Sequence, residues 1–323
     1  VRVPAVSVLR SIALVALFLV SAFAVGAEKE ARVFKTKRVV ILVIDGPRYT
    51  ETWGEPQRQY IPRQAKELAP QGVLFTDFRN DGPTYTNAGH SAMLTGFYQE
   101  INNTGKELPK NPSLMQRYLA EGNKPNTDAW VIASKDKLQI LANSMHPDWK
   151  YKYLASTDCG KKGNTTGYRE DAVTMSRIEE ILPEHKPHLV LINFKEPDAS
   201  GHARNWEKYL RGIEDTDGYA YRVWNLIQSL PDFKDQTALF ITNDHGRHDD
   251  KRLMGFTSHG DKCFSCRHIS LLALGPDFKK GAVIEKRRGQ IDIAVTAAKL
   301  LGLKIKGSKG RVMEEMFEEP AKN

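Results

Sequence analysis

Cysteine is scarce in this chain: three in 323 residues, at positions 159, 263 and 266. That is too few for a disulfide framework to replace a hydrophobic core. Cys263-Phe-Ser-Cys266 has redox or zinc spacing, but a four-ligand zinc site needs two more ligands close by. The more economical expectation is a structural disulfide, within this pair or from Cys159 to one member of it. Internal repeats and composition-biased linkers are also lacking, which excludes solenoids and beaded domains. The basic residues form only short clusters, at 161–162, 279–280 and 286–288. No aromatic-interleaved basic helix or other nucleic-acid motif occurs, so this charge reads as a solvated surface.

What is present is an ordinary globular composition, 41% hydrophobic and 27% charged. Residues 1–27 stand apart. Arg2 and Arg10 make a basic start, residues 11–27 form an uncharged, mostly apolar run, and Val25-Gly26-Ala27 has the small-residue pattern of a cleavage site. This predicts a secretory signal peptide cut after Ala27, with a secreted or periplasmic product and no stable membrane span after cleavage. The run is 17 residues long, at the short edge of the about 20 that span a bilayer. Removing its two arginines lowers the formal charge from +8 to +6. Residues 28–323 are expected to form one domain.

Along that domain, apolar strands alternate with helical stretches, which predicts α/β with a mostly parallel central sheet and helices on both faces. Strands are expected at 38–44, 73–78, 129–133, 188–194, 237–242 and 269–274. Helices are expected at 61–68, 113–121, 136–142, 169–182, 206–230 and 290–303. Residues 143–167 are polar and long for a connector, and read as a substrate-facing loop or lid.

Three of the strands run into acidic or histidine clusters: Asp45 after the first, Asp198 and His202 after residues 188–194, and Asp244-His245 after residues 237–242. His259 lies on the loop beyond. Ligands of open α/β sheets bind at the carboxyl ends of strands, so these groups are expected to converge on one edge. Taken singly, each has a plain explanation as a cap or turn residue, and Pro197 and Gly201 argue against a regular helix through Asp198 and His202. Taken together, a mixed Asp/His set suits two-metal phosphoryl transfer, with zinc favoured and manganese or iron less so. Thr86 follows the turn formed by Asn80-Asp81-Gly82-Pro83 and opens a small-residue helix. Such a hydroxyl is either an ordinary N-cap or, beside a metal, a nucleophile at an anion-binding helix N-terminus.

In these motifs the chain resembles the alkaline phosphatase superfamily, and within it the type I phosphodiesterase/nucleotide pyrophosphatase branch. The resemblance runs in order through Ile44-Asp45-Gly46, Pro83-Thr84-Tyr85-Thr86 with His90 and Leu94-Thr95-Gly96, and Glu196-Pro197-Asp198-Ala199-Ser200-Gly201-His202. It continues through Asp244-His245-Gly246, Ser258-His259-Gly260, Leu274-Gly275-Pro276 and Asp292-Ile293 with Leu300-Leu301-Gly302. It implies one divalent ion held by Asp198, His202 and His259. A second would be held by Asp45, Asp244, His245 and Thr86, with Thr86 forming a phospho-threonine. The expected substrate is a small phosphoester, of phosphodiester or nucleotide pyrophosphate type.

Two departures concern substrate choice. Asn87-Ala88-Gly89-His90 stands where the branch has Phe-Pro-Asn-His, and the branch's phosphoryl-binding asparagine has only Asn103 as a counterpart. Sulfatases share the fold, but no Cys/Ser-x-Pro-x-Arg segment occurs. A phosphotransferase usually brings several membrane spans, which this sequence does not contain. A non-catalytic metal-binding protein is disfavoured because every ligand position is kept. The N-terminal reading is checked directly: sequencing of the exported protein should begin at or near Glu28, whereas an intact apolar run in a membrane fraction would identify an anchor.

Overall fold

The computed structural model describes residues 1–2 and 32–319. The chain divides into two units, residues 1–33 and 34–323. Nearly all of the first, and with it the expected signal segment, lies outside the described residues.

The second unit is built on nine strands: β1 (Arg38–Asp45), β2 (Gly72–Arg79), β3 (Ala129–Ala133), β4 (Ser156–Cys159), β5 (Leu189–Pro197), β6 (Thr237–Asn243), β7 (His268–Leu274), β8 (Ala282–Ile284) and β9 (Arg288–Gly289). Its helices are α1 (Thr86–Thr95), α2 (Leu114–Ala120), α3 (Asp171–His185), α4 (Asp198–His202), α5 (Trp206–Ser229), α6 (Phe264–Arg267) and α7 (Gln290–Leu300). The sheet order is β4-β3-β5-β1-β6-β7-β2-β8, with β9 paired to β2. The run from β4 to β6 is parallel throughout. Strand β7 runs antiparallel to both β6 and β2, so β2 again points the same way as β1.

Strand β1 is buried along its whole length, as expected of a central parallel strand covered on both faces. Its side chains alternate between two apolar layers. Val39, Ile41 and Val43 face one layer with Met93 of α1, Leu119 of α2 and Ile293 of α7. Val40, Leu42 and Ile44 face the other with Ile178 of α3 and Tyr209, Ile213 and Val223 of α5. The expectation of a mostly parallel sheet with helices on both faces is met.

Several local readings differ. Residues 143–167 are not a bare loop, because β4 lies within them and extends the sheet edge beside β3. Its sequence, Ser-Thr-Asp-Cys, is polar and only partly buried, so it carries no apolar signal. Residues 136–142 form a 3-10 rather than an α-helix. A helical turn does form over Asp198–His202 despite Pro197 and Gly201. Helix α7 stops at Leu300, closed by Gly302 at φ +72°.

Phe240 on β6 is fully buried, its ring 5.7 Å from that of Phe278. Phe240→Ala should lower stability by about 3–5 kcal/mol in urea titration, from lost transfer energy plus the cavity.

Candidate metal centre

Strands β5, β1 and β6 are adjacent and parallel, so their carboxyl ends lie side by side. Asp45 closes β1, Asp198 follows β5, and Asp244 follows β6. The three carboxylates are therefore neighbours by register, and each is almost completely buried. Helix α1 reaches the same edge because β2 points the same way, and Thr86 is its first residue. Tyr85 is the N-cap and makes no side-chain cap bond, so Thr86 does not cap the helix. Its Oγ instead accepts a hydrogen bond from Lys135 Nζ at 3.2 Å.

Lys135 lies two residues beyond the carboxyl end of β3 and is 1% exposed. Its ammonium contacts Asp45 Oδ1 at 2.8 Å and Asp198 Oδ2 at 2.6 Å. Burial opposes the charge, but Asp198, then Asp45 and Asp244, outweigh it and hold the ammonium above its ordinary range. Arg247, fully buried, pairs with Asp198 Oδ1. For Asp198 burial would raise the carboxyl. Lys135, the hydrogen bond with His202, and Arg247 outweigh it and hold the group well below the usual range. Asp244 moves the other way, raised by burial and by the charge of Asp45. Lys137, also buried, is pushed down to about 8 by burial and by Lys135.

Whether these residues fit a divalent ion is decided by where their lone pairs point. His245 Nδ1 donates to the Gly246 carbonyl at 2.9 Å, which leaves Nε2 unprotonated. That nitrogen is buried without a hydrogen-bond partner, 3.4 Å from Asp244 Oδ2 and 3.7 Å from Asp45 Oδ1. Asp244 Oδ1 accepts the backbone N–H groups of Gly46 at 3.1 Å and His245 at 3.0 Å, which turns Oδ2 inward, also unpartnered. His259 Nδ1 donates to the Thr84 carbonyl at 2.7 Å, which aims its Nε2 at His202 Nε2, 3.0 Å away. Asp198 Oδ1 is 3.4 Å from each of these nitrogens. Burial above all keeps His245 and His259 neutral, pushed down to about 3 and about 2. Neutral imidazoles oriented by backbone carbonyls and facing carboxylates are a metal-binding arrangement, and the residues fit.

The first expected set, Asp198, His202 and His259, is gathered with ligand atoms within 4.8 Å of one another. The second is gathered less simply. Asp45 groups with Asp198 and His245, and separately with His90 and Asp244. His90 is tied at both ring nitrogens, to the Thr86 carbonyl at 2.8 Å and to Asn193 Nδ2 at 3.2 Å. Asn193 Nδ2 also donates to Asp45 Oδ2 at 3.0 Å, so His90 and Asn193 brace Asp45 against α1. Asn103 is brought next to Thr86, where its Oδ1 accepts the Asn87 backbone N–H at 3.0 Å.

Lys135, Arg247 and Asn193 were not found by sequence reasoning. The rule that found the aspartates, residues just past a strand's carboxyl end, also covers Lys135. Nothing in the sequence around Lys135 marks this lysine as buried. Arg247 is two residues beyond His245, and nothing in its neighbourhood marks it as buried. The expected disulfide is corrected here: all three cysteines are free. Cys159 sits on β4, far along the sheet from the segment that carries the other two, and Cys266 N–H donates to Cys263 Sγ at 3.3 Å.

This site lies within a known pattern. Residues 80–305 match the metalloenzyme superfamily, and the chain belongs to it, as a member of the alkaline phosphatase superfamily. Membership implies divalent metal ions. Among curated proteins, mouse GPI ethanolamine phosphate transferase 1 is 22% identical over 83% of this chain and 31% of its own length. Rat ectonucleotide pyrophosphatase/phosphodiesterase family member 7 is 24% identical over 65% of this chain and 49% of its own. The chain thus spans about a third and about half of these relatives. Among solved structures, murine ectonucleotide pyrophosphatase/phosphodiesterase 5 shares the fold with TM-score 0.62 and 14% identity, covering 87% of this chain and all of that one. The phosphonate monoester hydrolase of Silicibacter pomeroyi does so with TM-score 0.63 and 14% identity, over 89% and 78%.

Gly89 of α1 packs on the strand end that carries Asp244, and a Cβ there would meet the Asp244 carbonyl oxygen at 2.5 Å. Alanine normally favours a helix interior by about 1 kcal/mol. Here the backbone clash should win, so Gly89→Ala is expected to lower thermal stability and the metal content measured by elemental analysis, by displacing Asp244.

Proposed function

We propose that this chain is a secreted or periplasmic two-metal hydrolase of small phosphoesters, of phosphodiester or nucleotide pyrophosphate type, acting through a phospho-threonine at Thr86. The observation that carries this reading is the placement of the Thr86 hydroxyl. It opens α1 and shares the Lys135 ammonium with Asp45 and Asp198, one aspartate from each proposed ligand set.

Asp198, His202 and His259 would hold one ion, and Asp45, Asp244 and His245, with Thr86, the other. Zinc suits this Asp/His set best, with manganese next. When bound, such ions supply Lewis acidity toward phosphoryl oxygens and a hydroxyl. The chain's own groups do the rest. Thr86 Oγ bonds to phosphorus as the ester P–O bond breaks, the hydroxyl proton leaves Oγ, and the departing alkoxide takes up a proton. Water then cleaves the phospho-threonine and restores the hydroxyl. Lys135 lends fixed positive charge at Oγ, and the positive end of the α1 dipole would favour the phosphoryl oxygens. Asn103, beside that first turn, is the proposed substrate contact. Support comes from a protein that shares the fold: an inactive threonine-to-alanine variant of murine ectonucleotide pyrophosphatase/phosphodiesterase 5 has been solved in complex with AMP.

A second reading, phosphoryl transfer to an alcohol, is favoured by one observation: the similarity to the ethanolamine phosphate transferase spans 83% of this chain. Among the described residues no helix is long and apolar enough to cross a membrane.

Rates on an aryl phosphate diester, monoester and sulfate should fall in that order, be lost in chelator, and return with zinc or manganese. A sulfate cleaved faster than either phosphate overturns the reading. Product that moves from free phosphate to an added alcohol in proportion to its concentration establishes the transferase instead. Thr86→Ala should keep the fold while losing several orders of magnitude in rate, since a nucleophile contributes far more than a helix end. Thr86→Ser should retain a substantial part of the activity. Thr84, whose hydroxyl donates to the Asp261 carbonyl at 2.9 Å, is the comparison: Thr84→Ala should stay within about tenfold of wild type.

A further inference from the structure

The segment joining β6 to β7 holds a second set of donor side chains, apart from the carboxylate edge. His248, Asp261, Cys263 and Cys266 each offer a ligand atom, and all four atoms lie within 4.8 Å of one another. We propose that these four residues bind one structural zinc ion, which pins the segment carrying His259.

Each side chain is already set to present a lone pair. His248 Nδ1 lies 3.2 Å from the Leu253 carbonyl, which can only accept, so the ring proton is on Nδ1 and Nε2 is bare. That Nε2 is buried without a hydrogen-bond partner and lies 3.3 Å from Asp261 Oδ2. Asp261 Oδ1 is held by the Cys263 N–H at 2.9 Å, which directs Oδ2 toward the histidine. Cys263 Sγ accepts the Cys266 N–H at 3.3 Å, which turns the two sulfurs to one side of the short helix α6. Both thiols are free, and Cys266 is fully buried.

Two sulfurs, one imidazole nitrogen and one carboxylate oxygen make a four-ligand set that suits zinc. Bonds of about 2.0–2.3 Å would draw these atoms somewhat closer together than they stand. Two thiolates and a carboxylate leave one negative charge on the filled site. Arg252 Nη2, 3.4 Å from Asp261 Oδ2, lies beside it to offset that charge.

The position gives the ion a purpose. His248 sits at the start of the segment and Cys263 and Cys266 at its end, with His259 between them. Few apolar side chains anchor the stretch, and Leu253, Met254 and Phe264 are exposed. A closed four-ligand site would restrain both ends of the segment and so fix where His259 stands against His202 and Asp198.

The test uses a reagent that attacks thiolate ligands only, since the carboxylate-edge site contains no cysteine. Purified full-length protein, prepared without chelator or thiol, is titrated with p-hydroxymercuribenzoate while released zinc is read with a chromophoric chelator. About one zinc per chain should appear as the Cys263–Cys266 pair reacts. Cobalt-substituted protein should show a thiolate-to-metal charge-transfer band in the near ultraviolet, absent from Cys266→Ser. His248→Ala should lose the same ion while keeping both thiols. A wild-type protein whose thiols react without releasing zinc overturns the proposal, and so does one in which the pair is found as a disulfide. Loss of hydrolysis is not used as a readout, so the outcome is independent of the function proposed above.

Discussion

Buried negative charge is the constraint around which this molecule is arranged. Asp45, Asp198 and Asp244 stand side by side at the ends of three adjacent strands, each no more than 3% exposed. Carboxylates so far from water are costly unless countercharge and hydrogen bonds replace solvent. Lys135 supplies countercharge to two of them, and Arg247 reinforces it at Asp198. Asp244 receives two backbone N–H groups and is left with its pKa raised. A dry, highly charged pocket of this kind strengthens every interaction made inside it, as suits chemistry on an anionic phosphoryl group.

The strand ends approach closely only because the motif glycines allow it. Gly46 has φ +64°, and a Cβ there would meet Asp198 Oδ1 at 2.9 Å and His245 Cε1 at 3.1 Å. A Cβ on Gly201 would strike the Arg247 guanidinium at 2.7 Å. These glycines are the space through which carboxylate, imidazole and guanidinium reach one another. The histidines are set with equal economy: backbone carbonyls of Gly246 and Thr84 take the Nδ1 protons of His245 and His259, so both rings turn a bare nitrogen inward. The β6–β7 connection, which brings His259 back over the edge, carries its own cluster of four donors. One segment therefore links β6, just beyond which Asp244 lies, to two different groups of ligand atoms.

Much of this was legible in the residues alone. Apolar runs of strand length interrupted by Asp-Gly and Asp-His-Gly place carboxylates at strand ends, and topology converges such ends on one edge. Asp45, Asp198, His202, Asp244, His245 and His259 were expected on that edge from this reasoning, because it needs only local pattern and strand direction. Thr86 was marked by the helix start it opens, and Asn103 only by the resemblance to the family. The polar edge strand β4 escaped it, since Ser-Thr-Asp-Cys carries no apolar period. The antiparallel direction of β7 escaped it too, because an apolar run does not encode which way it points.

Other features depended on distances between residues far apart in the chain. That Lys135 is a buried ammonium rather than a surface charge follows from Asp45 and Asp198, 90 and 63 residues away, closing on it. That Arg247 pairs with Asp198, 49 residues away, follows from the ends of β5 and β6 lying on the same edge of the sheet. That Cys263 and Cys266 gain His248 and Asp261 as neighbours, rather than each other as a disulfide, follows from the path of a single loop. The sequence by itself determined which chemical groups exist and which edge of the sheet they end on, since both are local properties of residues and strands. Only the tertiary structure decided which charge lies against which, because Coulomb and hydrogen-bond energies are set by separations of a few ångströms that no linear spacing contains.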